Sequence, residues 1–175
     1  ISFDGITTAE GNFDIAGKEM ADIAWSAIGQ GNDQINPCAF LTYMGAIAGD
    51  GIAAEPHVVG EVSVGRSTTY RAKTVKADRI MTAETARTLR EYMRNNVETV
   101  YGADHFHGLS VCAKSGTGEV GGGQKPNATF CGFVEDEAYP LAFIAVVENG
   151  GYGSAVCVPI ISAVLESCME IMNAE

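Results

Sequence analysis

The chain has 175 residues, 46% of them apolar, so it is a globular domain and not a disordered tail. Its length fits one domain, or two small ones, burying roughly 70% of the surface of the unfolded chain. Eleven basic against twenty-two acidic side chains leave a formal charge of −11, a field that repels phosphate backbones and argues against a nucleic-acid partner.

Residues 1–13 are punctuated by glycine and read as loop. Apolar positions at Ile15, Met20, Ile23, Ala24 and Ile28 predict a helix over 15–28, ended by Gly29-Gln30-Gly31. Asn36 and Pro37 then start a second helix as N-cap and first helical residue, and Gly49 and Gly51 stop it. This helix is apolar nearly all round and is expected to be buried on every side. Residues 55–64 and 69–75 predict a hairpin. Residues 81–101 predict an amphipathic helix with Thr82 as cap, Gly102 as stop, and Ala86, Leu89, Met93, Val97 and Val100 on its inner face. Arg94 and Glu98 fall on its other face, which reads as solvated. Strands are predicted at 109–113, 128–135 and 141–148; the continuous apolar run of the last implies that both its faces are covered. Short connections make these an antiparallel meander, and a helix over 154–172 covers one face. The class is therefore α+β: an antiparallel sheet of three C-terminal strands covered by helices. The longest apolar run, 155–165, contains Pro159 and is too short for a bilayer, so no membrane segment is expected. The chain opens at Ile1 without Met or signal peptide, as a processed or cut piece of a larger protein would.

Five cysteines, Cys38, Cys112, Cys131, Cys157 and Cys168, are odd in number and irregularly spaced, without a Cys-x-x-Cys pair. They read as free core thiols, and no metal knuckle is indicated. His105 and His107 flank Phe106 in a turn and read as surface, as do the acids Asp4, Glu10 and Asp14. Trp25 and Tyr43 read as core. Glu119 and Lys125 are placed beside the cleft described next.

The chemically informative segment is Lys114-Ser115-Gly116-Thr117, at the end of a predicted strand and ahead of Gly121, Gly122 and Gly123. A lysine, two hydroxyls and an unobstructed backbone on one strand edge suit a carboxylate or a developing oxyanion. Other motifs fail on context. Gly116-x-Gly118-x-x-Gly121 matches a dinucleotide fingerprint, but Pro126 and a strand follow where a helix is required. A phosphate-binding loop would need Gly-Lys-Ser/Thr after its glycines, and Gly123 is followed by Gln124, Lys125 and Pro126.

This Lys-Ser-Gly-Thr strand, with two further strands and a C-terminal helix after it, resembles the third motif of the penicillin-binding transpeptidases and serine β-lactamases. Other landmarks match in order along essentially the whole chain. They are Gly29-Gln30-Gly31, the Asn36-Pro37 helix start, Gly49-Asp50-Gly51, Phe130-Cys131-Gly132-Phe133, and Glu148-Asn149-Gly150. The monofunctional class B type is the nearest. Asn36 and Ser115 each stand where the family more often has Thr. Neither Ser-x-x-Lys, which carries the family's acylated serine, nor Ser-x-Asn occurs in the sequence. Residues 1–175 are therefore expected to be the C-terminal portion of a single transpeptidase domain, inactive alone, with the nucleophile-bearing half outside this chain. An apolar patch is expected where that half belongs.

The resemblance implies roles. Lys114 supplies positive potential and hydrogen bonds beside the nucleophile. Ser115 and Thr117 hydroxyls hold the terminal carboxylate of a D-Ala-D-Ala stem peptide or of a β-lactam. The Thr117 backbone N–H is an oxyanion donor, and Gly116 lets the ligand lie against the strand. The reaction is acyl transfer through an acyl-serine, cross-linking peptidoglycan. No metal or organic cofactor is implied. The location implied is the outer face of the bacterial cytoplasmic membrane, where five unpaired thiols would suit a reducing habitat. Two rivals differ in outcome: a β-lactam sensor or β-lactamase of the same fold, and a non-catalytic scaffold or binding domain.

Overall fold

The architecture is a three-stranded antiparallel sheet between two helical layers, described for residues 1–174 from a computed structural model. In chain order the elements are β1 (Ser2–Phe3), β2 (Ile6–Thr7), α1 (Met20–Ala27), α2 (Pro37–Ala48), β3 (Ile52–Ala54), β4 (Glu61–Val64), β5 (Ser67–Arg71), β6 (Lys76–Arg79), α3 (Ala83–Asn96), β7 (Val111–Gly118), β8 (Asn127–Val134), β9 (Ala142–Val147) and α4 (Gly153–Ala174).

The sheet order is β7-β8-β9, the expected meander, with Ser115 opposite Phe130 and Phe130 opposite Ala145. Side-chain alternation gives each face its own core. Val111, Ala113, Ala128, Phe130, Val134 and Phe143 pack against Cys157, Val158, Ile161 and Leu165 of α4. On the opposite face Cys112, Cys131 and Phe133 meet Met44 and Ile47 of α2 and Met93 of α3. Phe130 is fully buried and stacks between Phe106 and Phe143, with the Tyr101 ring edge-on at 5.1 Å.

The caps read from sequence form as expected. Asn36 Oδ1 accepts the Ala39 N–H at 3.1 Å, and Thr82 Oγ1 accepts the Thr85 N–H at 3.1 Å. Gly51, at φ +90°, has to be glycine: a Cβ there would lie 2.0 Å from the Met81 carbonyl oxygen.

Several expectations are corrected. Residues 1–13 include the small β1–β2 hairpin, and α1 is shorter than the periodicity suggested. β3 and β6 pair around the β4–β5 hairpin, an outer pairing that local patterning did not reveal. α2 buries only its sheet side; Cys38 and Tyr43 face outward, so Cys38 is not a core thiol and Tyr43 is not a core ring. Trp25 is likewise exposed. All five cysteines are free, and only Cys112, Cys131 and Cys157 are buried. Burial pushes the Cys112 and Cys131 thiols up, to about 12 and about 11. Ile144 of β9 is part-covered by the α2 side, while Val146 beside it stays open. Arg94 is not simply solvated: its guanidinium grips Glu135 bidentately at 2.6–2.8 Å, which raises the Arg94 pKa. α4 is longer than the apolar run within it, 22 residues whose most apolar stretch of 18 has a mean hydropathy of 1.8, so by length and composition alone it could cross a membrane. Its inner face instead packs into the sheet, and it is read as a core helix.

The end of α3 departs most from a regular helix. Residues Val97–Tyr101 form a π-turn, closed by the Gly102 N–H on the Val97 carbonyl at 2.9 Å, and a 3₁₀ turn follows at Ala103–Phe106. The wider turn throws Val100 out to 68% exposure and brings Tyr101 into the core beside Val97. His105 and His107 lie at the surface after it, where Ser162 Oγ donates to the His105 carbonyl and meets His107 Nε2 at 3.0 Å.

Candidate active site

The Lys-Ser-Gly-Thr segment lies inside β7, not beyond its end, and β7 is an edge strand. Beside it, on the α2 face of the sheet, opens a groove of about 760 Å³. Lys114, Gly116, Thr129 and Val146 form the sheet side of the groove, the start of α2 at Pro37 and Phe40 forms another side, and Gln30 closes one end. Gly116 is not glycine for want of space inside the fold. A Cβ there meets only Thr129 Cβ, at 3.5 Å, and would stand in the groove. Glu119 lies at an adjoining hollow with Gly118 and Asn127. Lys125 does not line the groove.

The edge of β7 explains itself one group at a time. In an antiparallel pair every second residue turns both its N–H and its C=O away from the partner strand. Here Ala113, Ser115, Thr117 and Glu119 face outward. The Asn96 amide donates to the Ala113 carbonyl at 3.4 Å, a long contact. Tyr101 Oη accepts the Ser115 N–H at 2.9 Å. Lys114 Nζ turns back to donate to the Ser115 carbonyl. The Gln30 side chain donates Nε2–H to the Thr117 carbonyl at 2.8 Å and accepts the Glu119 N–H on Oε1 at 3.2 Å. Among the described residues three outward groups are left without a partner: the Ala113 N–H, in a fully buried residue away from the groove, the Glu119 carbonyl, and the Thr117 N–H, the one such donor in a residue that lines the groove. At the groove the edge strand thus offers a single open donor, next to a lysine, which suits one incoming oxygen.

The hydroxyls sit differently from the simplest expectation. Ser115 and Thr117 side chains share the α4 face of the sheet, whereas Lys114 and Gly116 point to the α2 face. Thr117 Oγ1 accepts the Gly153 N–H at 3.0 Å, and Ser115 Oγ lies 3.0 Å from Tyr101 Oη. Neither contact consumes the hydroxyl's own hydrogen when the neighbour donates, so both hydroxyls keep an O–H to offer a ligand. Sequence reasoning missed three participants. Gln30 was legible as part of Gly-Gln-Gly but not as a clamp; Tyr101 and Gly153 carried no signal of their own.

Comparison with known proteins gives this geometry its context. The family model for the penicillin binding protein transpeptidase domain matches residues 4–166. The chain belongs to that family. The chain is 26% identical over 162 residues to the peptidoglycan D,D-transpeptidase PbpA of Mycobacterium tuberculosis, a match covering 87% of this chain and 33% of the relative. It thus spans about a third of the curated relatives it matches. Against the penicillin G acyl-enzyme complex of penicillin-binding protein A from M. tuberculosis the TM-score is 0.81, at 26% identity, over 94% of this chain and 38% of that one. The D,D-transpeptidase domain of a peptidoglycan glycosyltransferase from Eggerthella lenta shares the fold, with TM-score 0.69 at 23% identity, over 83% and 34% of the two chains.

Proposed function

We propose that this chain supplies the acyl-binding wall of a peptidoglycan D,D-transpeptidase, the C-terminal portion of a domain whose serine nucleophile lies on a segment outside it. The observation that carries the reading is the one open β7 donor that lines the groove, the Thr117 N–H, beside Lys114. The serine oxygen attacks the penultimate D-Ala carbonyl of a stem peptide. Its C–O bond forms as the C–N bond to the terminal D-Ala breaks, and the serine proton leaves with that amine. An amine of a second stem peptide then takes the acyl group and returns a proton to the serine. The Thr117 N–H faces the oxygen that gains charge, and the loss of such a donor typically costs about 2.7–4 kcal/mol. Lys114 gives up its contact with the Ser115 carbonyl and turns to the reacting centre, while Ser115 and Thr117 O–H groups hold the terminal carboxylate. A β-lactam presents the same carboxylate and carbonyl, and stops at the acyl-enzyme.

Exposed apolar side chains support the placement of a further part of the domain here: Phe13, Met20, Trp25, Ile28 and Ile35 are exposed within residues 13–35, and Ile28 and Ile35 line the groove. By this reading the site works on the outer face of the cytoplasmic membrane. The test is incubation of the complete protein with fluorescent penicillin. A stoichiometric covalent label, formed at least tenfold more slowly in Lys114→Ala, is expected; an unlabelled protein contradicts the assignment. Slow release of the label fits a transpeptidase, and rapid turnover a β-lactamase.

A further inference from the structure

We propose that Tyr101 is a positioning residue for the site, acting through Ser115 to aim its hydroxyl at the ligand's carboxylate. The proposal rests on the reading above and adds to it a group that neither the motif nor its neighbours contain.

The geometry is specific. Tyr101 bonds two atoms of one residue: its Oη accepts the Ser115 N–H at 2.9 Å and lies 3.0 Å from Ser115 Oγ. A phenol has one hydrogen to donate. Tyr101 is 9% exposed, and among the described residues Ser115 Oγ is the one side-chain or carbonyl acceptor that its O–H meets. The phenol therefore donates to Ser115 Oγ. The serine's own hydrogen is then turned away from Tyr101 and is free for an anionic acceptor. A carboxylate only accepts, so an outward-directed O–H is the orientation it needs, and a chain of two O–H donors strengthens the outer one.

The surroundings hold this arrangement in place. The Tyr101 ring is edge-on to the fully buried Phe130, and Val97, from the same π-turn, is also buried. The π-turn gives the phenol its position: it turns Val100 outward and Tyr101 toward β7. With the Ser115 N–H capped by the same oxygen, a ligand cannot use that donor. It is directed instead to the Thr117 N–H and to the Ser115 hydroxyl.

The test uses the complete transpeptidase domain with Tyr101→Phe, which keeps the ring and removes the oxygen. Acylation rates are measured with a penicillin and with its methyl ester, which lacks the carboxylate charge. Tyr101→Phe is expected to slow acylation by the acid roughly tenfold and to change the ester rate by less than about twofold. In a Ser115→Ala background the same change should leave the acid-to-ester ratio unaltered, because the hydroxyl it aims is gone. An undiminished acid rate, an equal loss for acid and ester, or a full further fall in the ratio with Ser115→Ala each overturns the proposal. A parent domain that neither ligand acylates overturns the functional reading along with it.

Discussion

Replacing Gly153 with Ala adds one methyl group where α4 starts against the back of the site. Its Cβ would lie 2.1 Å from the Gly116 carbonyl oxygen and 2.8 Å from that of Thr129. Both obstacles are backbone in adjacent strands, so neither swings aside, and the helix start has to shift by about an ångström to reach ordinary contact. Overpacking of this kind costs about 1–3 kcal/mol. The shift also stretches the 3.0 Å bond from the Gly153 N–H to Thr117 Oγ1, worth about 1 kcal/mol more. For a chain of this size about 2–4 kcal/mol lowers Tm by about 4–16 °C. The assay is thermal unfolding by circular dichroism, paired with the acylation rate. Gly151→Ala is the control, because Gly151 has φ +110° with nothing near a new Cβ. It costs about 1–2 kcal/mol through backbone strain alone and should leave acylation unchanged. A Gly153→Ala domain with Tm within about 1 °C of the parent and an unaltered rate refutes the contact.

Other predictions concern the core, the cleft and titration. Phe130→Ala should cost about 3–5 kcal/mol in urea unfolding, because the ring is fully buried among three aromatic neighbours; a loss under about 1 kcal/mol would count against that cluster. At pH 8, mass spectrometry after iodoacetamide should find Cys38 alkylated first and Cys112 and Cys131 protected, since burial holds those two thiols protonated; early modification of Cys131 would show that α2 does not cover the sheet. The N–H groups of Val59 and Val58 hold the Asp4 carboxyl below its usual range. A depressed folded pKa stabilises above the unfolded value and is lost as pH falls through the folded one. Amide exchange at Val58 and Val59, corrected for its intrinsic rate, should therefore accelerate below about pH 4; a flat corrected rate would break the link.

The layered part of the fold was legible because its signals are local. Asn36-Pro37 and Thr82 mark helix starts by capping chemistry, and the meander follows from three apolar runs with short connections. What escaped the sequence was long-range or depended on the width of one turn. The pairing of β3 with β6 joins residues on either side of a hairpin and has no periodic signature. The exposure of Val100 and burial of Tyr101 accompany one π-turn, where the 3.6-residue pattern of 81–101 had put Val100 on the inner face and gave Tyr101 no place. The Lys114, Ser115, Gly116 and Thr117 segment was visible as chemistry on a strand edge. Its partners were not, because Gln30 reaches Thr117 across 87 residues of sequence and Gly153 across 36. The open donor at the groove emerges only once the Ser115 groups, the Thr117 carbonyl and the Glu119 N–H around it have been assigned their partners.

The most direct measurement is a crystal structure of the complete domain after reaction with penicillin G. The account predicts the acyl carbonyl oxygen about 3 Å from the Thr117 nitrogen, with Lys114 swung from the Ser115 carbonyl toward the acylated serine. An acyl oxygen bound elsewhere, with the Thr117 N–H still open over an empty groove, would contradict it.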